Sequence, residues 1–501
     1  MYSILTRMKN EVFLELLENK EKNIYKYFTG QSWEMSSSGR TIPIQSPHDQ
    51  SVIGNVQAIT QSEVDQVITT AQKAQFQWEQ TPLHERERIV IKAAAIMREN
   101  EPVFTDMLIS EIGKSRQESK AEIIRTAELI EFCATESHTL DGYTVESDAF
   151  PGFEKGRTSI VEHVAHGVVL AIGPFNYPIN LVASKIAPAL LMGNCVVVKP
   201  PTQGSISGLL LTQVFHKAGV PEGVISCVTG EGREIGDSLV MHPGISMIAF
   251  TGSTHVGQSL AKKAGMKSLL LECGGNNPVI VLPDADLSLT AKEIVKGGFS
   301  YAGQRCTGIK YVLGEVNVLE KLLPLVMEQM NTMIHVGNPN DEATKLVGPV
   351  ISVEAAKEIE DIINEAVSQG AAVKTGGKRN GAYIQPTILT DVTKDMRVVK
   401  EETFGPVISF ISVGSVDEAV AIISDSIFGL QASIFTQDEG TGMTLSKRLQ
   451  VGTVQLNGSP QRGPDHFPFM GVKASGLGVQ GVRYSLEAMS RLKSTVVNNP
   501  Q

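Results

Sequence analysis

Two short stretches of this chain combine residue types that could carry out covalent chemistry. Residues 303–308 read Gly-Gln-Arg-Cys-Thr-Gly, so Cys306 lies between glycines that let a substrate carbonyl approach its sulfur closely. The adjacent Arg305 is expected to favour the thiolate over the thiol. Upstream, residues 269–275 read Leu-Leu-Leu-Glu-Cys-Gly-Gly, an apolar strand that ends in the lone carboxylate of Glu272. A carboxylate held beside a reactive sulfur is a candidate general base for releasing a covalent acyl group.

Length and charge limit the classes of protein to which the chain can belong. A chain of 501 residues is expected to form more than one domain. Its formal charge of −10, from 44 basic and 54 acidic residues, provides no general attraction for nucleic acid or for an anionic membrane. No run of about 18 apolar residues is present, so no membrane span is expected. An anionic substrate would therefore need arginines gathered at one place.

The cysteines predict a reduced, cytoplasmic protein without a metal. They are too few and too scattered for a disulfide framework or a zinc site, and neither Cys-x-x-Cys nor His-Glu-x-x-His occurs. The five cysteines are Cys133, Cys195, Cys227, Cys273 and Cys306.

The first 26 residues predict a short helical N-terminal extension. Apolar residues recur at helical spacing, but Glu11, Glu15, Glu18 and Glu21 interrupt them. A transit peptide is poor in acidic residues, and a secretory signal needs an unbroken apolar core. A targeting role is therefore not expected.

Periodicity divides the rest of the chain into a helical part and two alternating series. Helical spacing predicts helices over 62–78, 83–100 and 119–135. From residue 166 onward, short apolar strands alternate with helices, which indicates a parallel sheet covered on both faces, as in dinucleotide-binding domains. The predicted strands of this series are 167–172, 195–199, 224–229, 246–250 and 268–271, and its helices include 207–218 and 255–264.

A second strand–helix series follows Cys306 and predicts a separate α/β domain that carries the nucleophile. It comprises strands 309–313, 407–411 and 432–436 and helices 354–369 and 416–424. Strands at 141–162 and 495–498 belong to neither series. Such strands often pair with another subunit, so we expect a homo-oligomer, either a dimer or a tetramer.

Six motifs in order resemble the aldehyde dehydrogenase superfamily over roughly residues 27 to 497. Residues 462–469, Arg-Gly-Pro-Asp-His-Phe-Pro-Phe, further resemble the NADP-dependent, non-phosphorylating glyceraldehyde-3-phosphate dehydrogenases of that family. The six motifs are Pro-Phe-Asn-Tyr-Pro at 174–178, Val-Lys-Pro at 198–200, Phe-Thr-Gly-Ser-Thr at 250–254, Glu-x-Gly-Gly at 272–275, Gly-Gln-Arg-Cys at 303–306 and Glu-Glu-Thr-Phe-Gly-Pro at 401–406.

The resemblance implies an α/β fold with a Rossmann-type cofactor domain, an α/β catalytic domain and a small β oligomerisation arm. We expect an N-terminal extension over 1–26 and a dinucleotide-binding domain over 27–140 and 163–295. The catalytic domain is expected over 296–482, and the oligomerisation arm over 141–162 and 483–501.

The resemblance also implies a mechanism in which Cys306 attacks an aldehyde to form a thiohemiacetal. The side-chain amide of Asn176 and the backbone N–H of Cys306 would stabilise the developing oxyanion. Loss of hydride to a nicotinamide would leave a thioester, and Glu272 would direct water onto it. The chain departs from the family pattern at Cys273, Asn276 and Asn277, which puts the orientation of the base in question.

The cofactor expected from the resemblance is NADP, with NAD possible. Lys199 ends a strand where a ribose or phosphate could bind. NAD-dependent relatives usually carry a Glu where this chain has Thr202, and a carboxylate there would repel a 2′-phosphate. Gly252, Ser253 and Gly257 are expected at a turn and helix start whose N-terminus would face the diphosphate. Glu402 and Phe404 are expected at the nicotinamide and its ribose, and Pro174 is a further expected cofactor residue.

The expected substrate is a phosphorylated aldehyde, D-glyceraldehyde 3-phosphate, oxidised to 3-phosphoglycerate. The resemblance places Arg125, Tyr177, Arg305 and Arg462 around its phosphate, where arginine forks suit the geometry. Alternatives are a semialdehyde dehydrogenase in which these arginines bind a carboxylate, a CoA-acylating enzyme, and a non-catalytic protein on the same fold.

One further motif is interpreted as a decoy. Residues 476–481 match Gly-x-Gly-x-x-Gly, but they follow a polar loop rather than a strand. We interpret them as a turn before a helix over 484–490, with no cofactor role.

Overall fold

The chain folds around two open sheets, here described from a computed structural model that covers residues 11–19 and 23–498. The larger sheet has eight strands, and its five central strands run parallel. In spatial order its strands are Gly476–Leu477, Ser268–Glu272, Met247–Thr251, Val168–Ile172, Cys195–Lys199, Ile225–Cys227, Tyr27–Phe28 and Trp33–Glu34.

Helices accompany this sheet, and the central strands Cys195–Lys199 and Met247–Thr251 are buried along their whole length. The predicted strand–helix series from residue 166 onward is therefore confirmed. The helices of this half of the chain are Gln61–Glu79, Leu83–Glu99, Glu101–Ile112, Arg116–Glu136, Asn180–Leu191, Ser205–Ala218, Gly232–Met241 and Thr254–Lys263.

Local signals explain where the early helices begin and end. Thr60 and Glu63 form a reciprocal capping box at the start of the first of these helices. The helix Glu101–Ile112, which the periodicity did not separate, ends at Gly113 with a φ of 68°. Glycine adopts this left-handed conformation without the steric penalty of a Cβ.

The second sheet has seven strands, all parallel except at the edge formed by Ala372–Thr375. Its spatial order is Ala372–Thr375, Thr387–Thr390, Val407–Ser412, Ile309–Gly314, Asn277–Val281, Gln431–Phe435 and Thr453–Leu456. Its helices are Leu287–Phe299, Val316–Met333, Val353–Ser368, Arg397–Lys400, Val416–Asp425 and Glu439–Ser446.

The change from one sheet to the other occurs earlier than expected. Asn277–Val281 is a central strand of the second sheet, and Leu287–Phe299 packs into the second hydrophobic core. The expected boundary at residue 295 is therefore too late, because the chain leaves the first sheet directly after Glu272. Buried parallel strands share one apolar pattern, so sequence alone does not tell which of two parallel sheets a strand joins.

Three strands form a separate small sheet, in the order Ser490–Asn498, Arg157–Ala165 and Tyr143–Glu146. These are the strands expected to lie outside both series. A four-stranded sheet contains Leu17–Asn19, Ile24–Tyr25, Val52–Gln57 and Thr41–Gln45, and two strand pairs join His335–Val336 to Leu346–Val347 and Arg379–Asn380 to Tyr383–Ile384.

The N-terminal helix prediction is correct only for a short part of the segment that the structure describes. Glu11–Leu16 is a 3₁₀ helix and Leu17–Asn19 is a strand, whereas residues 1–10 and 20–22 lie outside the described residues. The helix expected over 484–490 is Val482–Ala488. Within the described ranges, none of the helices has the length and apolar character needed to cross a membrane.

Candidate active site

Cys306 follows a tight turn whose backbone is unusual. Tyr301, Ala302 and Gly303 have φ values of 50°, 52° and 70° within the 3₁₀ segment Ser300–Gly303. Non-glycine residues rarely adopt this left-handed region, and strain of this kind concentrates at functional sites. A Cβ on Gly303 would lie 2.1 Å from the backbone oxygen of Gly405, so this position accepts only glycine.

Buried side chains tether the loop that carries Cys306. Asn277 Nδ2 donates to the backbone oxygens of Cys306 and Gly308, each at 2.8 Å. Lys310 Nζ donates to the backbone oxygens of Gly303 at 2.8 Å and Gly405 at 3.2 Å. Asn277, which the sequence marked as a departure from the family pattern, thus holds the nucleophile loop directly.

Glu272 and Cys306 are neighbours. Glu272 ends the strand Ser268–Glu272, and its Oε1 lies 3.5 Å from Cys306 Sγ, which places the thiol within hydrogen-bonding reach. Glu272 is 2% exposed, and Thr251 on the adjacent strand donates from Oγ1 to its Oε2 at 3.2 Å. The pairing of sulfur and carboxylate inferred from sequence is present in the structure.

The second oxygen of Glu272 binds Arg462. Arg462 Nη1 donates to Glu272 Oε2 at 2.5 Å, and Nη2 donates to Gln480 Oε1 at 2.9 Å. The guanidinium also lies over the ring of Phe469, 5.1 Å from its centroid. The side chains of Arg462 and Glu272 are only 11% and 1% exposed, so water screens this ion pair little.

Lys185 adds a second positive charge behind the carboxylate. It belongs to a fully buried helix, Asn180–Leu191, and its Nζ donates to Thr251 Oγ1 at 2.7 Å and to the Leu181 oxygen at 2.9 Å. Burial lowers the pKa of Lys185 to about 7, although the Glu272 charge opposes that shift.

The protonation of the pair follows from this arrangement. Burial raises the pKa of the Cys306 thiol well above its usual value, and the charge of Glu272 raises it further. Burial would also raise the pKa of Glu272, but Arg462 and Lys185 lower it below its ordinary value. In the free protein the pair is thus a thiol beside a carboxylate.

The expectation that Arg305 promotes the thiolate is wrong for this structure. Arg305 Nη2 donates to Thr307 Oγ1 at 3.1 Å, and its charge acts on the pKa values of Glu118 and Lys310. The arginine that favours the thiolate is Arg462, which opposes the larger effect of burial.

Asn176 lies on the same cavity as Cys306 and has a fixed orientation. Its Nδ2 donates to the Gln304 oxygen at 2.9 Å, which leaves the second amide N–H available as a donor. Lys114 Nζ donates at 2.8 Å to the Asn176 backbone oxygen and at 2.5 Å to Glu122 Oε2. Glu122 Oε1 in turn accepts the backbone N–H of Ile179 at 3.1 Å.

A cavity of about 490 Å³ opens beside Cys306 and contains most of the residues expected near a nicotinamide. Gly275 N–H donates to Glu402 Oε1 at 2.9 Å, and a Cβ on Gly274 would lie 2.2 Å from Glu402 Oε2. Burial raises the pKa of Glu402. The expected residues that line this cavity are Pro174, Asn176, Gly252, Ser253, Cys306, Glu402 and Phe404.

The helix Thr254–Lys263 points its N-terminus to this cavity. Ser253 caps it by accepting the N–H of Val256, and Ser253 and Val256 both line the cavity. Backbone N–H groups at a helix N-terminus attract phosphate. Gly257 lies within this helix, and a Cβ there would meet Cys273 Sγ at 2.4 Å, so Gly257 makes room for packing.

Lys199 and Thr202 are not among the residues that line the cavity, although Pro201 between them is. Lys199 is 7% exposed at the end of its strand, and burial lowers its pKa to about 8. An anionic partner would restore its charged form. Residues 199–207 themselves contain no acid, so no side chain of this segment would repel a 2′-phosphate.

The other departures from the family pattern have packing roles. Asn276 Nδ2 donates to the backbone oxygens of Val399 at 2.6 Å and Glu401 at 3.2 Å, which anchors the segment before Glu402. Cys273 is buried, burial raises its pKa to about 12, and its sulfur packs against Gly257.

Arg125 and Arg462, two of the four residues expected around a substrate anion, are each bound to an acid of the protein. Arg125 forms a two-pronged ion pair with Asp465, at 2.6 Å from Nε and 2.7 Å from Nη2, and also donates to the Arg462 backbone oxygen. Tyr177 lies under the ammonium of Lys114, 3.6 Å from the ring centroid. In the free protein Arg125 and Arg462 are thus paired with acids, although the structure brings Arg125 into contact with Arg462.

The motif at 476–481 contributes to the site in a way that sequence reasoning missed. Gly476–Leu477 pairs antiparallel with Ser268–Glu272, and Gln480 is the second anchor of Arg462. Lys114 and Lys185 were missed as well. A lysine inside an otherwise apolar helix, as at Lys185, is a signal that could have identified it.

Comparison with known proteins identifies the family. The model of the aldehyde dehydrogenase family matches residues 33–495. An NADP-dependent glyceraldehyde-3-phosphate dehydrogenase of Apium graveolens is 43% identical over 98% of both chains, and that of Streptococcus equinus is 45% identical over 94% of this chain and 98% of its own. The solved structure of the Bacillus halodurans enzyme complexed with NADP superposes with a TM-score of 0.93 at 44% identity, covering 95% of this chain and 99% of that one.

Proposed function

Because this chain belongs to the aldehyde dehydrogenase family, we propose that it oxidises D-glyceraldehyde 3-phosphate to 3-phosphoglycerate with NADP. The observation that carries the chemistry is the contact between Cys306 Sγ and Glu272 Oε1 at 3.5 Å, beside a cavity that also contains Asn176. Its relatives' shared name supports the substrate and the cofactor.

In the first half of the reaction, Cys306 gives its proton to solvent and its thiolate sulfur adds to the aldehyde carbon. A C–S bond forms, and the carbonyl electron pair moves to oxygen. The free N–H of the Asn176 amide and the backbone N–H of Cys306 stabilise that oxyanion. NADP, when bound, supplies the acceptor for the aldehyde hydrogen and its electron pair.

In the second half, Glu272 activates water against the thioester on Cys306. The carboxylate takes one proton of the water, the oxygen bonds to the acyl carbon, and the C–S bond breaks to return the thiolate. Water is the acceptor, so the product is a carboxylate and no acyl phosphate forms. The carboxylate reaches the thioester because its Oε1 lies 3.5 Å from the Cys306 sulfur.

The cofactor is assigned to the cavity beside Cys306. Gly252, Ser253 and the N-terminus of Thr254–Lys263 are proposed to hold its diphosphate, and Glu402 with Phe404 its nicotinamide end. Lys199 and Thr202 are proposed to bind the 2′-phosphate, because both can donate and neither repels an anion.

The substrate phosphate is assigned to Arg125, Tyr177, Arg305 and Arg462, of which Arg125 and Arg462 have carboxylate partners in the free protein.

Steady-state NADPH formation without inorganic phosphate tests the proposed function, with D-glyceraldehyde 3-phosphate and succinate semialdehyde compared at equal concentration. We expect the larger kcat/KM for the phosphorylated aldehyde. Faster turnover of succinate semialdehyde would instead identify a semialdehyde dehydrogenase.

A homo-oligomer is proposed from the three-stranded sheet. Large apolar side chains of this sheet and its loop are exposed, and such a surface is typical of subunit contacts. They include Tyr143, Val145, Phe150, Phe153, Leu492 and Val496. Light scattering on the full chain should give a mass of at least two subunits.

A cytoplasmic location is proposed because all five cysteines are free thiols.

A further inference from the structure

The ion pair between Arg462 and Glu272 joins a residue assigned to the substrate with the residue assigned as base. Glu272 uses Oε1 for the sulfur of Cys306 and Oε2 for Arg462, so the carboxylate is engaged on both sides. A base held by a buried guanidinium is a weak base, because the cation stabilises its ionised form. In the free protein Glu272 is thus a weaker base than it would be without Arg462.

Arg462 also faces a second cavity, of about 290 Å³, from which an anion could reach it. Asp465, Phe467 and Phe469 line the same cavity. Asp465 is already bound by Arg125, at 2.6 and 2.7 Å. Within the part of the chain that the structure describes, Glu272 is therefore the one acid bonded to Arg462, whose other side-chain partner is the neutral Gln480. The guanidinium fork binds a phosphate dianion at least as well as a carboxylate.

We propose that the anionic end of the substrate takes Arg462 from Glu272 and thereby releases Glu272 to act as the base of thioester hydrolysis. The proposal rests on the function proposed above and adds to it a control of the second half-reaction by the substrate's own charge. In this scheme Arg462 binds the substrate anion and acts on hydrolysis through its ion pair with Glu272. A neutral acyl group would leave the ion pair closed and would be hydrolysed slowly.

The charged groups around Glu272 allow the sign of the pH effect to be worked out. Those that face it are Arg462, Lys185 and Cys306, and the two cations hold its pKa below the ordinary value. When an anion neutralises Arg462, burial is opposed by Lys185 alone, so the pKa of Glu272 rises. The pH at which the hydrolysis rate is half-maximal should therefore move upward. The rate on the plateau above that pH should increase.

The test supplies the aldehyde and the anion of the substrate as two separate molecules. D-Glyceraldehyde, which lacks the phosphate, is given to the full-length protein with NADP, with and without inorganic phosphite dianion. Phosphite is expected to raise the steady-state rate, set by hydrolysis, by at least about tenfold, and to change the initial burst of NADPH much less. No phosphite effect, or an equal effect on burst and steady state, would overturn the proposal.

Variants separate the release of Glu272 by an anion at Arg462, here called the gate, from a general effect of the anion. Arg462→Gln should lose the phosphite activation and show the upward-shifted pH midpoint without phosphite, and Arg462→Lys should retain part of the activation. Arg448→Lys changes an arginine that is paired with Asp417 at the surface, and it should respond to phosphite as the parent does. Activation that persists in Arg462→Gln would contradict the proposal.

D-Glyceraldehyde 3-phosphate is assayed in the same preparation to separate failure of the gate from failure of the proposed function. If it is oxidised but phosphite has no effect with D-glyceraldehyde, only the gate is rejected. If it is not oxidised, the proposed function itself is rejected.

Discussion

Lys114 donates from Nζ to the backbone oxygen of Asn176 at 2.8 Å, from a position where its side chain is fully enclosed. The same ammonium pairs with Glu122 and lies 3.6 Å from the centroid of the Tyr177 ring. A buried lysine is stable only with such partners. The charge pair therefore supports the loop that presents the amide of Asn176 to the cavity.

Replacement of Lys114 should destabilise the protein and weaken oxyanion binding. Lys114→Met leaves Glu122 as an uncompensated buried carboxylate, at an expected cost of about 3–5 kcal/mol in the free energy of unfolding. Urea denaturation measures this cost, and kcat should fall more than KM changes. Lys357→Met removes an exposed ion pair with Asp361 and should cost less than about 1 kcal/mol. Equal losses in the two variants would contradict this account.

The reactivity of Cys306 should increase with pH over an unusually alkaline range. Burial raises its pKa, so in the free protein the thiolate becomes the main form only above the ordinary thiol pKa of about 8.5. Alkylation by iodoacetamide, followed by mass spectrometry, should show this midpoint. Cys273→Ala, which removes the buried neighbouring thiol, should leave the profile unchanged. A rate that already reaches its plateau at pH 7 would refute the assignment of a protonated thiol.

Removal of the base should separate the two half-reactions. Glu272→Gln still accepts a hydrogen bond from Arg462 but cannot take a proton from water. We expect one rapid turnover of NADPH formation followed by a steady-state rate lower by about 10²–10⁴-fold. Stopped-flow absorbance measures both phases, and mass spectrometry should detect the thioester on Cys306. Parental steady-state turnover would show that another group activates water.

The choice between NADP and NAD should depend on residue 202. Thr202→Glu places a carboxylate where a 2′-phosphate is expected, and it should raise the KM for NADP by at least about tenfold while the KM for NAD changes less. Thr202→Ser keeps the hydroxyl and serves as the matched control. An unchanged ratio of kcat/KM for the two cofactors in Thr202→Glu would place the phosphate elsewhere.

Much of the fold could be predicted because its signals are local. The helices predicted over 62–78, 83–100 and 119–135 agree closely with Gln61–Glu79, Leu83–Glu99 and Arg116–Glu136. An amphipathic period or a buried apolar run is set by neighbouring residues and survives in any tertiary context. The sheet to which Asn277–Val281 belongs could not be predicted, because pairing of parallel strands depends on distant segments.

By itself, the sequence determined the chemical pair, since a cysteine between glycines and a carboxylate at the end of an apolar strand are local patterns. Only the tertiary structure decided the partner of Arg462, which lies 190 residues from Glu272 along the chain. The sequence predicted that Arg462 binds an anionic substrate, whereas in the folded chain Arg462 is bonded to the base Glu272. The physical reason is that a buried guanidinium must be paired, and which acid reaches it is decided by packing.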